Sequence, residues 1–206
     1  MDKYREMGGI DCKIAFFPLN VCLLPGEDLP LRIFEPRYKQ LINDCEKNGS
    51  TFGIPFMIKG QMQSFGTEVR LKQIVAKNSQ GEMVILVEGV SNFEMISYKN
   101  QAEGKLYAAG TIKKIVNDRE IDDPELIKMV IHYSDNLNSE FLKNIKGNAI
   151  TLNDLAIALN LSSEDKYKYV SIKGLNDRER FIKAQMSILL KLSEQEKLLK
   201  NEYYLN

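Results

Sequence analysis

Apolar residues in the first half of the chain come in short runs separated by Gly, Asn and Ser, the pattern of strands and turns. Lys13–Leu19 reads as a strand that ends at or just after Pro18. Asp28–Phe34 reads as a second, with Pro30 restricted to an edge or a bulge because it has no N–H to donate. Thr51–Ile58 is a third. In Glu68–Lys77 the alternation at Val69 and Leu71 shifts phase near Ile74 and Val75, which predicts a bulge. Asn78-Ser79-Gln80-Gly81 has hairpin chemistry. Val84–Val87 is a continuous apolar run and predicts a strand buried on both faces. Phe93–Tyr98 and Leu106–Val116 complete six or seven strands, enough to curl a twisted sheet into a small barrel. One helix interrupts them. It starts at Glu35-Pro36, since proline suits the first helical position, and Tyr38, Leu41, Ile42 and Cys45 then form one apolar stripe. Asn48-Gly49 ends it.

The pattern changes near Asp122-Asp123-Pro124, where apolar spacing becomes helical. This divides the chain into a β-rich subdomain, 1–121, and a helical subdomain, 122–206. Asp123 is the expected cap of a helix whose buried face comprises Leu126, Ile127, Val130, Ile131 and Leu137. Thr151 caps Leu152–Leu161. Ser162 or Ser163 caps a short helix through Val170. Asn176 with Glu179 resembles a capping box opening a long last helix that carries Ile182, Met186, Leu189 and Leu199 on or near one face. The fold class is therefore α+β: a barrel subdomain with one inserted helix, followed by a helical bundle.

Composition narrows the function. Lys plus Arg (28) equal Asp plus Glu (28) in 206 residues, so a general affinity for phosphate backbones is not expected, although a local basic patch stays compatible with a neutral total. Cys12, Cys22 and Cys45 are odd in number and without metal-ligand spacing. They read as reduced, small apolar side chains rather than a disulfide framework. His132 is the only histidine, so no metal and no cofactor are expected. No run approaches the roughly 18 to 20 apolar residues of a membrane span, and the charged N-terminus, followed by no long apolar run, does not read as a signal peptide. The cytoplasm is the expected compartment.

Phe16-Phe17-Pro18-Leu19 through Leu24-Pro25-Gly26 to Pro30-Leu31-Arg32-Ile33-Phe34-Glu35-Pro36-Arg37-Tyr38 resembles the opening of the substrate-binding N-terminal domain of Lon proteases, position after position. Phe52-Gly53-Ile54, Gly66-Thr67-Glu68-Val69 and Val87-Glu88-Gly89-Val90-Ser91-Asn92-Phe93 continue the resemblance. In the last of these the family usually carries an arginine where Asn92 stands, which puts any role of that charge in doubt. The helices around Asn176-Asp177-Arg178-Glu179-Arg180 extend the resemblance to about residues 12 to 195. It implies a PUA-like barrel. It also implies a non-catalytic module that binds exposed apolar or unfolded polypeptide or a protein partner, acts as an adaptor, or self-associates as a homo-oligomer.

Pro25 and Gly26 make the turn, Pro36 and Tyr38 start the helix, and Arg32, Glu35 and Arg37 are placed to form an ion-pair cluster at its base. Leu24, Leu29 and Phe34 are the candidate peptide contacts, with core packing as their competing fate. The chain has no G-x-x-x-x-G-K-[ST] phosphate loop and no G-x-S-x-G nucleophile; neither ATPase nor peptidase activity is expected. RNA binding through the PUA-like barrel is the alternative, and the neutral charge makes it the weaker one.

Overall fold

The structure, a computed structural model, describes residues 11–115, 118–137 and 150–203. The order is β1 (Asp11–Phe16), β2 (Asp28–Ile33), α1 (Pro36–Asn48), β3 (Phe52–Ile58), β4 (Gln61–Lys77), β5 (Met83–Lys99) and β6 (Ala108–Ile115), then α2 (Pro124–Leu137), α3 (Leu152–Ala158), α4 (Ser163–Ser171) and α5 (Leu175–Tyr203). This is a mixed α+β fold. Two compact units form. One holds the whole sheet, α1 and α4; the other holds α2, α3 and α5. Val116 lies outside the described residues, as do the side chains of Leu137 and Leu199.

All six strands join one sheet in the order β2-β5-β4-β3-β1-β6, and β6 also pairs with the far half of β5, so the pairings return on themselves. β5 makes this possible through its length. Its first half bonds β2, and its second half bonds β6 from Asn92↔Ile115 to Lys99↔Ala109. The two runs expected as separate strands, Val84–Val87 and Phe93–Tyr98, are thus one strand. The phase shift read near Ile74 is a bulge between Ile74 and Ala76.

Met83, Ile85 and Val87 point into the core while Val84 is exposed and Leu86 half-buried. The expectation of two buried faces here is corrected. The run is apolar throughout, but only one side of β5 meets other apolar elements, and period-two alternation decides which residues reach it. On that side α1 contributes Tyr38, Leu41, Ile42 and Cys45 to the core formed with Ile33, Phe52, Ile54, Val69, Met83, Ile85 and Val87. A second core, Ile14, Phe16, Phe93, Ala108 and Ile112, fills the region between β1, β5 and β6.

The edge of the sheet is β2, which bonds only β5. Glu27 O accepts from Gly89 N at 2.8 Å, which sets the phase of the ladder. Leu29, Leu31 and Ile33 address β5, and Pro30 turns its nitrogen to the open side. Proline is tolerated there because no donor is lost to the sheet, and it leaves the free edge one N–H short.

Glu68, 3% exposed, shows how the sheet tolerates a buried carboxylate. It accepts from Thr51 Oγ1 at 2.7 Å, Ser91 Oγ at 2.6 Å and Lys114 Nζ at 2.7 Å. Burial pushes its pKa up, but the bonds from Lys114, Ser91 and Thr51 outweigh burial and hold the carboxyl below its usual range.

In the helical unit, Asp123 caps α2 through Glu125 N at 3.1 Å, and Thr151 with Asp154 makes a complete capping box for α3. Leu126 and Val130 are buried, but Ile127 and Ile131 are 41% and 55% exposed. They sit about 100° round the helix from the buried stripe, one residue too far. The capping box expected from Asn176 and Glu179 does not form, because α5 already begins at Leu175. Arg119 takes both side chains: its guanidinium bonds Asn176 Oδ1 at 3.1 Å and pairs with Glu179. Lys183 bridges Asp123 and Glu125 beside them.

Two outcomes follow. Replacing Pro30→Val restores the missing donor on the open edge and raises self-association, seen as a concentration-dependent increase in mass by sedimentation; unchanged mass at all concentrations would refute the edge assignment. Glu68→Gln destabilises by about 2 kcal/mol at neutral pH, a figure kept low because Lys114 is partly solvated. Since the folded pKa is depressed, this difference is fully present above the unfolded glutamate value of about 4.3 and disappears as pH falls through the folded pKa. Urea titrations between pH 3 and 7 read it; a gap that stays constant to the acid end contradicts the ionised-carboxylate account.

Candidate binding face and the turn that supports it

Val21 to Glu27 carries little secondary structure of its own, yet Cys22, Leu23 and Leu24 are buried. Their backbone polar groups therefore need partners. For Leu23, Thr67 and Asn92 supply them. Thr67 Oγ1 donates to Leu23 O at 2.7 Å and accepts from Leu23 N at 3.1 Å, and Asn92 Nδ2 donates to Leu23 O at 2.8 Å and to Thr67 Oγ1 at 3.2 Å. Asn92 thus has a positive role of its own: a neutral amide satisfies a buried carbonyl that a charge would reach only at a desolvation cost.

The Leu24-Pro25-Gly26 turn is tied to β5. Gly26, at φ +90°, donates to Gly89 O at 2.8 Å. Gly89 allows the contact because it has no side chain: a Cβ there would stand 2.4 Å from Leu24 O. Glu27 closes the turn, accepting from Leu24 N at 2.8 Å through one oxygen and from Lys166 Nζ at 2.6 Å through the other.

The three candidate contacts separate. Leu24 is fully buried, Leu29 is half-buried against the main core, and Phe34 is 56% exposed. Arg32, Glu35 and Arg37 do not meet in one cluster. Arg32 points outward on β2 to Glu82 at 3.6 Å, whereas Glu35, at the helix start, pairs with Arg37 at 2.8 Å. The alternation of β2 sends Arg32 away from α1. Pro36 opens α1 as expected, without a side-chain cap from Glu35. Tyr38 is buried, with its ring 3.8 Å from that of Phe17 and the Arg37 guanidinium 4.5 Å from its centroid.

Phe34 has company that the linear pattern did not reveal. Val84 lies opposite Arg32 in the ladder, and Val75 sits at the β4 bulge next to Ala76, the partner of Val84. Both are exposed, at 38% and 56%. Phe34, Val84 and Val75 therefore occupy neighbouring ends of β2, β5 and β4. The Arg32–Glu82 pair borders this group, and further along the same ladder the strands are charged: Lys72 bonds Asp28 at 3.0 Å, and Arg70 pairs with Glu88. The available signal was the strand phase, which the apolar run Val84–Val87 obscured.

Among the described residues no group of three or more His, Cys, Asp or Glu side chains is placed to hold a metal, and no helix is long and apolar enough to cross a membrane. Burial pushes the Cys22 thiol up to about 12, which keeps it protonated.

A mixed α+β fold of this kind is shared with Lon N-terminal domains. The crystal structure of a Lon N-terminal domain protein from Xanthomonas campestris is similar at a TM-score of 0.65 and 24% identity, covering 84% of this chain and 98% of that one. The N-terminal domain of a Mycobacterium avium complex Lon protease is similar at 0.63 and 12% identity, covering 85% and 98%. The family model for the substrate-binding domain of ATP-dependent protease La (LON) matches residues 13–202, and the chain belongs to that family. The Lon protease of Flavobacterium johnsoniae is 25% identical over 92% of this chain, which spans 25% of that protein's length.

Gly89→Ala tests the turn. The added methyl meets a backbone oxygen, so the turn or β5 must shift, and a loss of about 2 to 3 kcal/mol in urea unfolding is expected. A loss below about 0.5 kcal/mol would show that the turn is not held against β5.

Proposed function

We propose that the chain is a non-catalytic polypeptide-binding module that takes exposed apolar or unfolded segments onto the face formed by Phe34, Val84 and Val75, as a recognition domain or an adaptor in the cytoplasm. The observation that carries this reading is the grouping of three exposed apolar side chains on adjacent strand ends of a domain whose family is named for substrate binding. Apolar side chains gathered on one face gain more by binding than the same residues scattered. Membership of the family supports recognition of protein substrates. Pairing a client strand along β2 is the less favoured mode, since Pro30 leaves that edge one N–H short. The circuit of strand pairing supports reading the sheet unit as the PUA-like barrel, with the helical unit as its bundle. Equal numbers of basic and acidic residues favour polypeptide over RNA as the partner.

The test is binding to a reduced and alkylated, permanently unfolded protein, with its folded form as control. The unsubstituted chain binds the unfolded form alone. Phe34→Ser with Val84→Ser weakens binding at least about tenfold, or about 1.4 kcal/mol, without a change in thermal midpoint. Absence of binding at high micromolar concentration, or equal binding by the double variant, would overturn the proposal.

A further inference from the structure

The short helix α4 is out of sequence in the fold. Residues on both sides of it belong to the helical unit, while α4 itself belongs to the sheet unit. Its contacts there are few and specific. Tyr167 lies with its ring 5.1 Å from that of Phe56 and 6.0 Å from that of Phe65. Tyr169 and Val170 are buried. Lys166 makes the one ion pair between α4 and the sheet unit among the described residues, to Glu27, with both side chains mostly withdrawn from water at 10% and 17% exposure. Asn160, at φ +48°, precedes the helix, and Gly174 follows it.

We propose that α4 is a clasp, locked by Lys166 on Glu27, that opens as a unit while the sheet stays folded and so uncovers Phe56, Phe65 and Cys22. An ion pair suits a lock. Its two partners are held only while both are present, and removing one leaves a buried charge that favours opening, whereas removing both relieves that penalty. Opening of a short segment below the free energy of global unfolding is the usual behaviour of such peripheral elements. The floor uncovered is aromatic and carries one carboxylate, Glu27, whose second oxygen stays tied to the turn by Leu24 N. The clasp does not depend on the binding face described above, and neither idea falls with the other.

The cysteines report the motion. Cys22 is 1% exposed, and its thiol senses the charges of Lys166 and Glu27. Cys45, 4% exposed, lies in α1 within the main core, away from α4, and reports global unfolding. Labelling of the full chain with an uncharged maleimide, resolved by cysteine, separates the two. Lys166→Met raises Cys22 labelling at least about tenfold with Cys45 unchanged, and Glu27→Gln combined with Lys166→Met returns Cys22 towards its original rate. Cys22 and Cys45 rising together, Cys22 staying at its original rate, or the double variant labelling as fast as the single one overturns the clasp. Should Lys166→Met fail to fold, the unsubstituted chain in low urea decides. Cys22 labelling ahead of Cys45 supports the clasp, and coincident rates overturn it.

Discussion

The sheet unit depends on satisfying the backbone of one irregular segment. Residues 22–24 enter the interior without a strand partner of their own, and a buried N–H or C=O left unpaired costs about 1 to 3 kcal/mol. Thr67 and Asn92, from two neighbouring strands, offset this cost at Leu23, and Glu27 does so at Leu24. With Leu23 held, Gly26 reaches Gly89, and Glu27 reaches Lys166. The start of β2, the docking of α4 and the position of the turn all follow from that anchor.

One buried carboxylate, Glu68, and one partly buried, Glu27, serve this unit differently. Glu68 joins Thr51 at the start of β3, Ser91 on β5 and Lys114 on β6, so it ties together strands remote in sequence. Glu27 joins a turn to a helix that arrives much later in the chain. In both, every oxygen has a donor, the condition under which a buried charge is tolerated. Val84 lies on the opposite side of β5 from the core residues Met83 and Ile85, and Phe34 and Val75 are exposed as well.

Much of this was legible in the residues. Periodicity located α1 and its four core residues, the bulge near Ile74, the Asn78 hairpin and the caps at Asp123 and Thr151, because each depends on contacts a few positions apart. The opening motif through Tyr38 marked the family. What stayed illegible involved partners distant in sequence. Val84 was read as buried because an apolar run does not say which of its residues meets the core. Ile127 and Ile131 were placed on the buried face because the width of a helix stripe is set by its neighbours. Glu179 was read as a cap because Arg119, its partner, is 60 positions away.

By itself the sequence determined the element types, the turn chemistry and the family, all consequences of local backbone preference and of a long motif. The tertiary structure alone decided that Leu24 is core and Phe34 is surface, that Val75 and Val84 are exposed near neighbouring strand ends, and that α4 leaves its neighbours to pair with Glu27. The physical reason is the same throughout: burial and ion pairing are properties of neighbours in space, and a closed circuit of strands brings together residues whose distance along the chain carries no trace of it.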